Sequence, residues 1–86
     1  MSIHTRLREL GLQLPHAAAP VASYQPVVVD GHTAYVSGQL PFVDGKLVTG
    51  KLGDTVTLEQ GQEAARACGL MILAQLEAAG LLERVA

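Results

Sequence analysis

The sequence contains no tryptophan, and only two tyrosines and one phenylalanine occur among its 86 residues. Aromatic side chains therefore cannot supply the core, although 49% of the residues are hydrophobic. This apolar fraction excludes a disordered chain and predicts a core built from leucine, valine, alanine, isoleucine and methionine. The length allows one small domain, near the size at which a single core becomes marginal. We expect residues 1–86 to form that one domain.

Cysteine is nearly absent, since Cys68 is the only one in the chain. A single thiol excludes an internal disulfide, and no two histidines show the spacing of metal ligands, so no metal site is predicted. No cofactor is expected either. We interpret Cys68 as a small buried hydrophobic side chain. The absence of a disulfide framework is typical of a reducing compartment, and we expect a cytoplasmic location.

Positive charge is scarce: six lysines and arginines stand against eight acidic residues, which gives a formal net charge of −2. The densest group, Arg6 and Arg8 with His4, is interpreted as the solvated face of a short helix. Without a basic stripe, nucleic-acid binding is not expected. No apolar run is long enough to span a membrane, and the first residues lack the apolar segment of a signal peptide. Membrane binding is therefore not expected.

The apolar spacing predicts two helices. The first is Ser2–Leu10, with Ser2 as its N-cap. The second is Thr57–Ala79, where Thr57 and Gln60 fit a capping box and a glycine follows the last turn. One stripe of this second helix is predicted to face the core, and Ala64, Met71 and Leu73 widen it. The members of the stripe itself are Leu58, Ala65, Cys68, Ile72, Leu76 and Ala79.

Three strands are predicted between the helices: Val21–Val29, Thr33–Leu40 and Lys46–Leu52. Asp-Gly pairs separate them and are strong hairpin signals. Pro26 indicates an edge position or a bulge in the first strand. The expected α+β fold is an antiparallel three-stranded meander packed on one long helix, with a short N-terminal helix before it. In residue numbers these parts are the helix and proline-rich lead-in 1–20, the meander 21–53 and the long helix 57–80.

One helix and three strands leave part of the sheet uncovered. Apolar residues Leu81, Leu82 and Val85 follow the long helix directly. We therefore expect this chain to be truncated or one half of a larger domain. An open sheet edge is usually covered by another chain, so self-association is also expected.

The most informative run is Val36-Ser37-Gly38-Gln39-Leu40-Pro41. A predicted strand leads to a serine, a glycine and a glutamine, and a proline ends it. Glycine here would allow a backbone conformation closed to other residues and would expose its N–H group. Transitions of this kind often form small anion sites from backbone donors. Ser37 has no evident histidine and aspartate partners, so a serine-hydrolase triad is not expected.

The ordered motifs resemble the RidA/YjgF family of small trimeric enamine/imine deaminases. They begin with the Ala-Pro-Val-Ala-Ser-Tyr segment, residues 19–24, and the Asp-Gly hairpin. The Val36–Pro41 run, the second Asp-Gly turn and a long helix containing Glu63-Ala64-Ala65-Arg66 follow in the family's order. The sequence resembles the N-terminal half of proteins in this family, which have a chorismate mutase-like fold.

This resemblance implies a hydrolase that converts reactive enamines or imines to keto acids and ammonia, in clefts between the subunits of a homotrimer. It implies that Tyr24 lines the cleft and that Ser37, Gly38 and Gln39 contact the substrate. The family's carboxylate-binding arginine, a late-strand glutamate and an asparagine lie in its second half, and the sequence ends before them. No catalytic residue is therefore assigned, and this fragment alone is expected to be inactive.

Two other functions remain open at this point. The first is a non-catalytic module that binds a small carboxylate or another metabolite in the same cleft. The second is the endoribonuclease or translation-inhibitor function historically attached to the family. The absence of a basic surface that could follow a phosphate backbone argues against the second.

Overall fold

The computed structural model describes residues 2–17 and 25–85, and these form an α+β architecture. The helices are α1 (Ile3–Glu9) and α2 (Leu58–Ala78), and a short 3-10 helix, η1 (Leu82–Arg84), follows α2. The described strands are β1 (Val27–Asp30), β2 (Thr33–Val36), β3 (Phe42–Val43) and β4 (Lys46–Leu47). The predicted α+β class, with a short first helix and one long helix, is confirmed.

Both helices begin at the caps that the sequence predicts. The Ser2 side chain accepts a hydrogen bond from the Thr5 amide. At α2, Gln60 N donates to the Thr57 hydroxyl at 3.1 Å, and Thr57 N donates to Gln60 Oε1 at 2.8 Å. This reciprocal pair is a capping box, which satisfies two amides that the first turn of a helix leaves without partners.

The strands form two separate hairpins rather than one three-stranded meander. β1 pairs antiparallel with β2, and β3 pairs antiparallel with β4. In the second hairpin the loop residues Asp44 and Gly45 both have positive φ, 51° and 78°. Such a two-residue loop matches the twist of the strands on either side, which explains why the Asp-Gly signal identified the turn.

The first hairpin is shorter than predicted because its ladder stops at Pro26. Ser37 N donates to Pro26 O at 2.9 Å, but proline has no N–H with which to return the bond. β2 therefore ends at Val36 and not at Leu40, and β1 begins at Val27. Residues 21–24 of the predicted first strand lie outside the described residues.

The predicted third strand is also shorter, and its partner differs. Only Lys46–Leu47 is strand, and it pairs with Phe42–Val43, a segment not predicted as a strand. Pro41 separates this hairpin from β2, and the Pro41 carbonyl accepts a further bond from Val48 N at 3.0 Å. Because the chain turns at Pro41, the second hairpin pairs with itself instead of extending the first.

The core lies around the C-terminal half of α2. The buried apolar side chains of the described residues are Leu7, Val56, Met71, Ala74, Leu76 and Leu82. They come from α1, α2, η1 and the loop before α2. No helix in the part of the chain that the structure describes is long and apolar enough to cross a membrane.

The predicted apolar stripe of α2 is wrong in most of its members. Leu58 is 65% exposed and Ile72 is 39% exposed, and of the six predicted residues only Leu76 is buried. The buried face consists of Leu76, of Met71, which was predicted only to widen the stripe, and of the unpredicted Ala74 and Gln75. Nearly every face of α2 carries an apolar residue, so its contacts with β2, β3 and η1 decide which face is buried.

Candidate functional site

The Ser37–Gln39 segment connects the two hairpins. It follows β2 directly, and the Ser37 amide is still held by Pro26 O at 2.9 Å. Ser37 and Gln39 are half-buried, whereas Gly38 between them is exposed. The segment thus presents one backbone unit to solvent between two side chains that are partly enclosed.

Gln39 fixes this segment with both ends of its amide. Its Nε2 donates to Ser37 O at 3.0 Å and lies 3.4 Å from Ser37 Oγ. Its Oε1 accepts from Gln75 Nε2 at 3.2 Å. Because Ser37 O cannot receive a ladder bond from Pro26, the Gln39 side chain supplies the missing donor. The side chain of a single glutamine therefore completes the strand end and ties it to α2.

Two residues of α2 hold the segment against the helix. Gln75 is the one buried polar residue among those described, and only 4% of it is exposed. About two turns before it, the Cys68 thiol is 3.5 Å from the Gln39 carbonyl oxygen. The sequence predicted a buried Cys68, but the side chain is only half-buried and its thiol contacts a carbonyl oxygen.

Gly38 does not have the conformation that its sequence context suggested. Its φ lies outside the left-handed region, and a Cβ atom built on it would meet no atom of the described residues within 4 Å. Neither the backbone nor the packing of the described residues therefore requires glycine there. What remains of the prediction is the exposure of the glycine, which leaves room for another molecule to approach its backbone.

The segment offers hydrogen-bond donors and acceptors but no acid or base. The Ser37 hydroxyl lies next to an amide nitrogen, which cannot accept its proton. Among the described residues no group of three or more histidine, cysteine or acidic side chains could hold a metal ion. Tyr24 lies outside the described residues, so its position relative to Ser37 stays a prediction.

A cavity of about 350 Å³ lies elsewhere, between the first hairpin and the C-terminal end of α2. Its walls are apolar, with Val29 and Val36 on one side and Leu76 on the other, and Arg84 and His32 also line it. The three residues of the Ser37–Gln39 segment do not line this cavity. The Ser37–Gln39 segment and this cavity are therefore separate features.

Sequence reasoning missed a cluster around His4. Its Nε2 lies 2.6 Å from Glu77 Oε2, and its Nδ1 lies 2.5 Å from Glu83 Oε2. The pKa of His4 is raised, mainly by the hydrogen bond to Glu83 and then by the one to Glu77. Hydrogen bonds from the Ile3 amide and from His4 lower the pKa of Glu83 to about 2. No local pattern relates His4 to carboxylates more than 70 residues away, so no signal in the sequence could have found this cluster.

Comparison with known proteins decides the family. Residues 4–86 match the family described as "YjgF/chorismate_mutase-like, putative endoribonuclease". The chain belongs to the YjgF family. The resemblance inferred from the motifs is thereby confirmed, and the two hairpins with one long helix form the corresponding part of a YjgF fold.

Individual YjgF-like relatives agree with this assignment. The chain is 47% identical over 85 residues to "Protein TCP17" of Trypanosoma cruzi, a match that covers 96% of this chain and 53% of the relative. The crystal structure of a "putative endoribonuclease" from Shewanella oneidensis MR-1 superposes with a TM-score of 0.84 at 38% identity. That match covers 92% of this chain and 53% of the other.

A third relative is Atu1372 of Agrobacterium tumefaciens, a protein described as having unknown function. Its structure gives a TM-score of 0.74 at 42% identity over 95% of this chain and 48% of the relative. This chain therefore spans about half the length of the YjgF-like proteins that it matches.

Proposed function

We propose that this chain forms one wall of the substrate site of a RidA-type deaminase, an enzyme that hydrolyses enamines or imines to keto acids and ammonia. The observation that supports it best is the Ser37–Gln39 segment. Gln39 and the buried Gln75 hold this segment at a strand end, with Gly38 exposed between two half-buried residues. Such a fixed strand end suits the binding of a small polar substrate, because its donors need no rearrangement.

The proposed reaction needs little from this wall beyond binding. Water attacks the imine carbon, a proton moves to the nitrogen, and the carbon–nitrogen bond breaks to release ammonia and a keto acid. The Ser37–Gln39 segment has no group that could move these protons. We propose that the wall positions the substrate, and that the acid–base group and a carboxylate-binding cation come from the part of the fold that the relatives have beyond the matched half.

The proposal includes assembly as a homotrimer in which neighbouring copies complete the site. Its support is the apolar surface of the first hairpin, where Val28 and Tyr35 lie opposite each other and are 47% and 61% exposed. Val27 and Val36 lie opposite each other on the other face of the same strands. Apolar groups on both faces of a hairpin favour burial against more than one neighbour. Tyr24, as a lining residue of such a cleft, belongs to this proposal too.

The activity is tested by supplying an enamine. A dehydratase acting on serine or threonine generates the reactive intermediate, and release of the keto acid is followed with and without the 86-residue chain. A second sample joins the chain to the C-terminal half of the Shewanella relative. We expect acceleration only from the joined protein, because only that protein contains the second half of the fold.

Two hydroxyl substitutions in the joined protein sharpen this test. Ser37→Ala should reduce the acceleration, since it removes a side chain of the proposed wall. The matched control is Thr49→Ala, which removes an exposed hydroxyl after the second hairpin and should leave the rate unchanged. A joined protein that folds but does not accelerate release of the keto acid would refute the proposed deaminase function.

A second candidate is a non-catalytic module that binds small carboxylates. Within residues 2–17 and 25–85, no acid or base is hydrogen-bonded to Ser37, which favours this candidate. Calorimetric titration with pyruvate and 2-oxobutanoate tests this function, with Ser37→Ala as the variant expected to weaken binding. Titrations without heat or saturation for either acid would remove this candidate.

The third candidate is a ribonuclease, and it is favoured by the descriptions of the family and of the Shewanella relative. The formal net charge of −2 gives it no electrostatic support. Incubation of a highly purified sample with single-stranded RNA tests it. Cleavage that is lost in Tyr24→Phe or Ser37→Ala would establish this function in place of the deaminase.

A further inference from the structure

The His4 side chain joins three elements at one end of the molecule. One ring nitrogen lies 2.6 Å from a Glu77 carboxylate oxygen on α2, and the other lies 2.5 Å from a Glu83 oxygen on η1. Glu83 also accepts from the amides of Ile3 at 2.7 Å and His4 at 3.1 Å. The first turn of α1 is therefore attached to the body of the protein mainly through these two acidic side chains.

Helix α1 depends on such attachments. It has 7 residues, fewer than an isolated helix needs to be stable in water. Leu7 is its one buried residue among those described. Contacts with the rest of the chain must therefore hold it, and the bonds of His4 to Glu77 and Glu83 are among them.

The geometry at His4 requires a protonated ring. A neutral imidazole has one N–H donor and one bare nitrogen, so it can donate to only one of the two carboxylates. The imidazolium form donates from both nitrogens and satisfies both. If the ring loses a proton, a lone pair on nitrogen faces a carboxylate oxygen at hydrogen-bond distance, and that contact becomes repulsive.

We propose that His4 acts as a protonation-dependent latch that holds α1 against the end of α2 and η1 and releases it when the imidazole becomes neutral. The charged groups that face His4 are Glu77 from α2 and Glu83 from η1. Arg8, one turn later on α1, lines the same hollow as His4 and Glu77.

The direction of the pH dependence follows from the two shifted groups. The pKa of His4 is raised above 6.5, so its stabilising effect is complete below 6.5 and is lost as pH rises through the raised value. The pKa of Glu83 is lowered from 4.5 to about 2, so its effect is complete above 4.5 and is lost as pH falls towards 2. The latch is therefore fully closed between about pH 4.5 and 6.5 and opens as pH rises through the raised pKa of His4.

NMR on the 86-residue chain tests the latch. The ring signals of His4 give its titration midpoint, and amide exchange, corrected for the intrinsic rate at each pH, gives the protection of α1. We expect the protection of α1 to fall about two- to fivefold, the range of an exposed ion pair, with the same midpoint as the His4 ring. Equal protection on both sides of that midpoint, or two different midpoints, would overturn the proposal.

Three variants separate the latch from a general effect of pH. His4→Gln keeps a polar side chain but cannot titrate, so its α1 protection should not change over this range. Glu77→Gln should lower the titration midpoint of His4. Glu9→Gln removes the exposed pair with Arg6 on the same helix and should keep the wild-type profile. A His4→Gln protein with the wild-type pH profile would refute the latch. If that variant does not fold, the proposal is decided in the wild type by comparing the midpoint of the His4 ring titration with the midpoint of the loss of α1 protection.

Discussion

At the scale of single residues, two amide side chains determine the shape of the candidate site. Pro26 cannot donate to Ser37 O, and Gln39 Nε2 takes that place at 3.0 Å. Gln75 then binds Gln39 Oε1 from a position where it is only 4% exposed. A buried amide on a mostly apolar helix is retained here because it satisfies a polar group at the end of a strand.

Replacing Gln75 should test this arrangement. Gln75→Leu keeps the approximate volume but leaves the half-buried Gln39 Oε1 without this donor, and we expect a loss of about 1–3 kcal/mol in the free energy of unfolding. Gln62→Leu, at an exposed position of the same helix, is the control and should have little effect. Denaturant unfolding followed by circular dichroism measures both. Equal stability of the two variants would show that the Gln39–Gln75 bond is not structural.

Two glycines provide a second comparison at this scale. Gly38→Ala should change stability by less than about 0.5 kcal/mol, since nothing lies within 4 Å of the new methyl group and φ is ordinary. Gly50 has φ of 134°, and a Cβ there would collide with Thr55 Oγ1 and approach Val56 Cγ2 to 2.8 Å. Gly50→Ala should therefore cost about 1–3 kcal/mol. Thermal melts that rank the two variants in the opposite order would contradict the backbone geometry.

At the scale of elements, α2 shows which features of a helix its own sequence predicts and which depend on the rest of the fold. Its start at the Thr57–Gln60 capping box depends on residues three positions apart and was predicted. Its buried face depends on the elements packed against it, and the sequence predicted only Met71 and Leu76 of that face. Apolar residues occur around the whole helix, so periodicity alone could not select the face formed by Met71, Ala74, Gln75 and Leu76.

Alanine substitutions at adjacent positions of α2 distinguish these two faces. Met71 is 4% exposed and Ile72 is 39% exposed. We expect Met71→Ala to cost about 2–5 kcal/mol, because it leaves a cavity in the core. Ile72→Ala should cost less than about 1 kcal/mol. Denaturant titrations at low protein concentration measure both free energies of unfolding. A larger loss of stability for Ile72→Ala than for Met71→Ala would favour the stripe that the sequence predicted.

At the scale of the whole molecule, the first hairpin has much apolar surface and little cover. Val28, Val29 and Tyr35 are 47%, 55% and 61% exposed in the single chain. The YjgF-like relatives are about twice as long as this chain, so the same fold in those proteins has more chain to place against such surfaces. The face that carries Val28 and Tyr35 is the surface that the proposed trimer would bury, whereas Val29 lies on the other face.

A charge on that face should prevent assembly without unfolding the chain. We expect Tyr35→Lys to reduce the mass measured by sedimentation velocity to that of a monomer, because a lysine would be desolvated in the interface. Leu58→Lys is the control, since Leu58 is 65% exposed and lies at the start of α2, outside the hairpin. A wild-type chain that is monomeric, or a Tyr35→Lys protein of unchanged mass, would refute the trimer.

Features that depend on neighbours along the chain could be derived from the order of the residues. These are the family motifs, the caps of both helices and the Asp44-Gly45 turn, and the caps and this turn are set by contacts within about four residues. In the first hairpin Asp30 is the last residue of β1, and the loop is Gly31-His32. Folding in three dimensions was needed to fix the separation of the hairpins at Pro26 and Pro41, the buried face of α2 and the contacts of His4. The His4 pairs join residues 73 and 79 positions apart, and no local preference can encode a contact at that distance. Such contacts are settled only when the elements pack together, because packing determines which groups meet and which lose water.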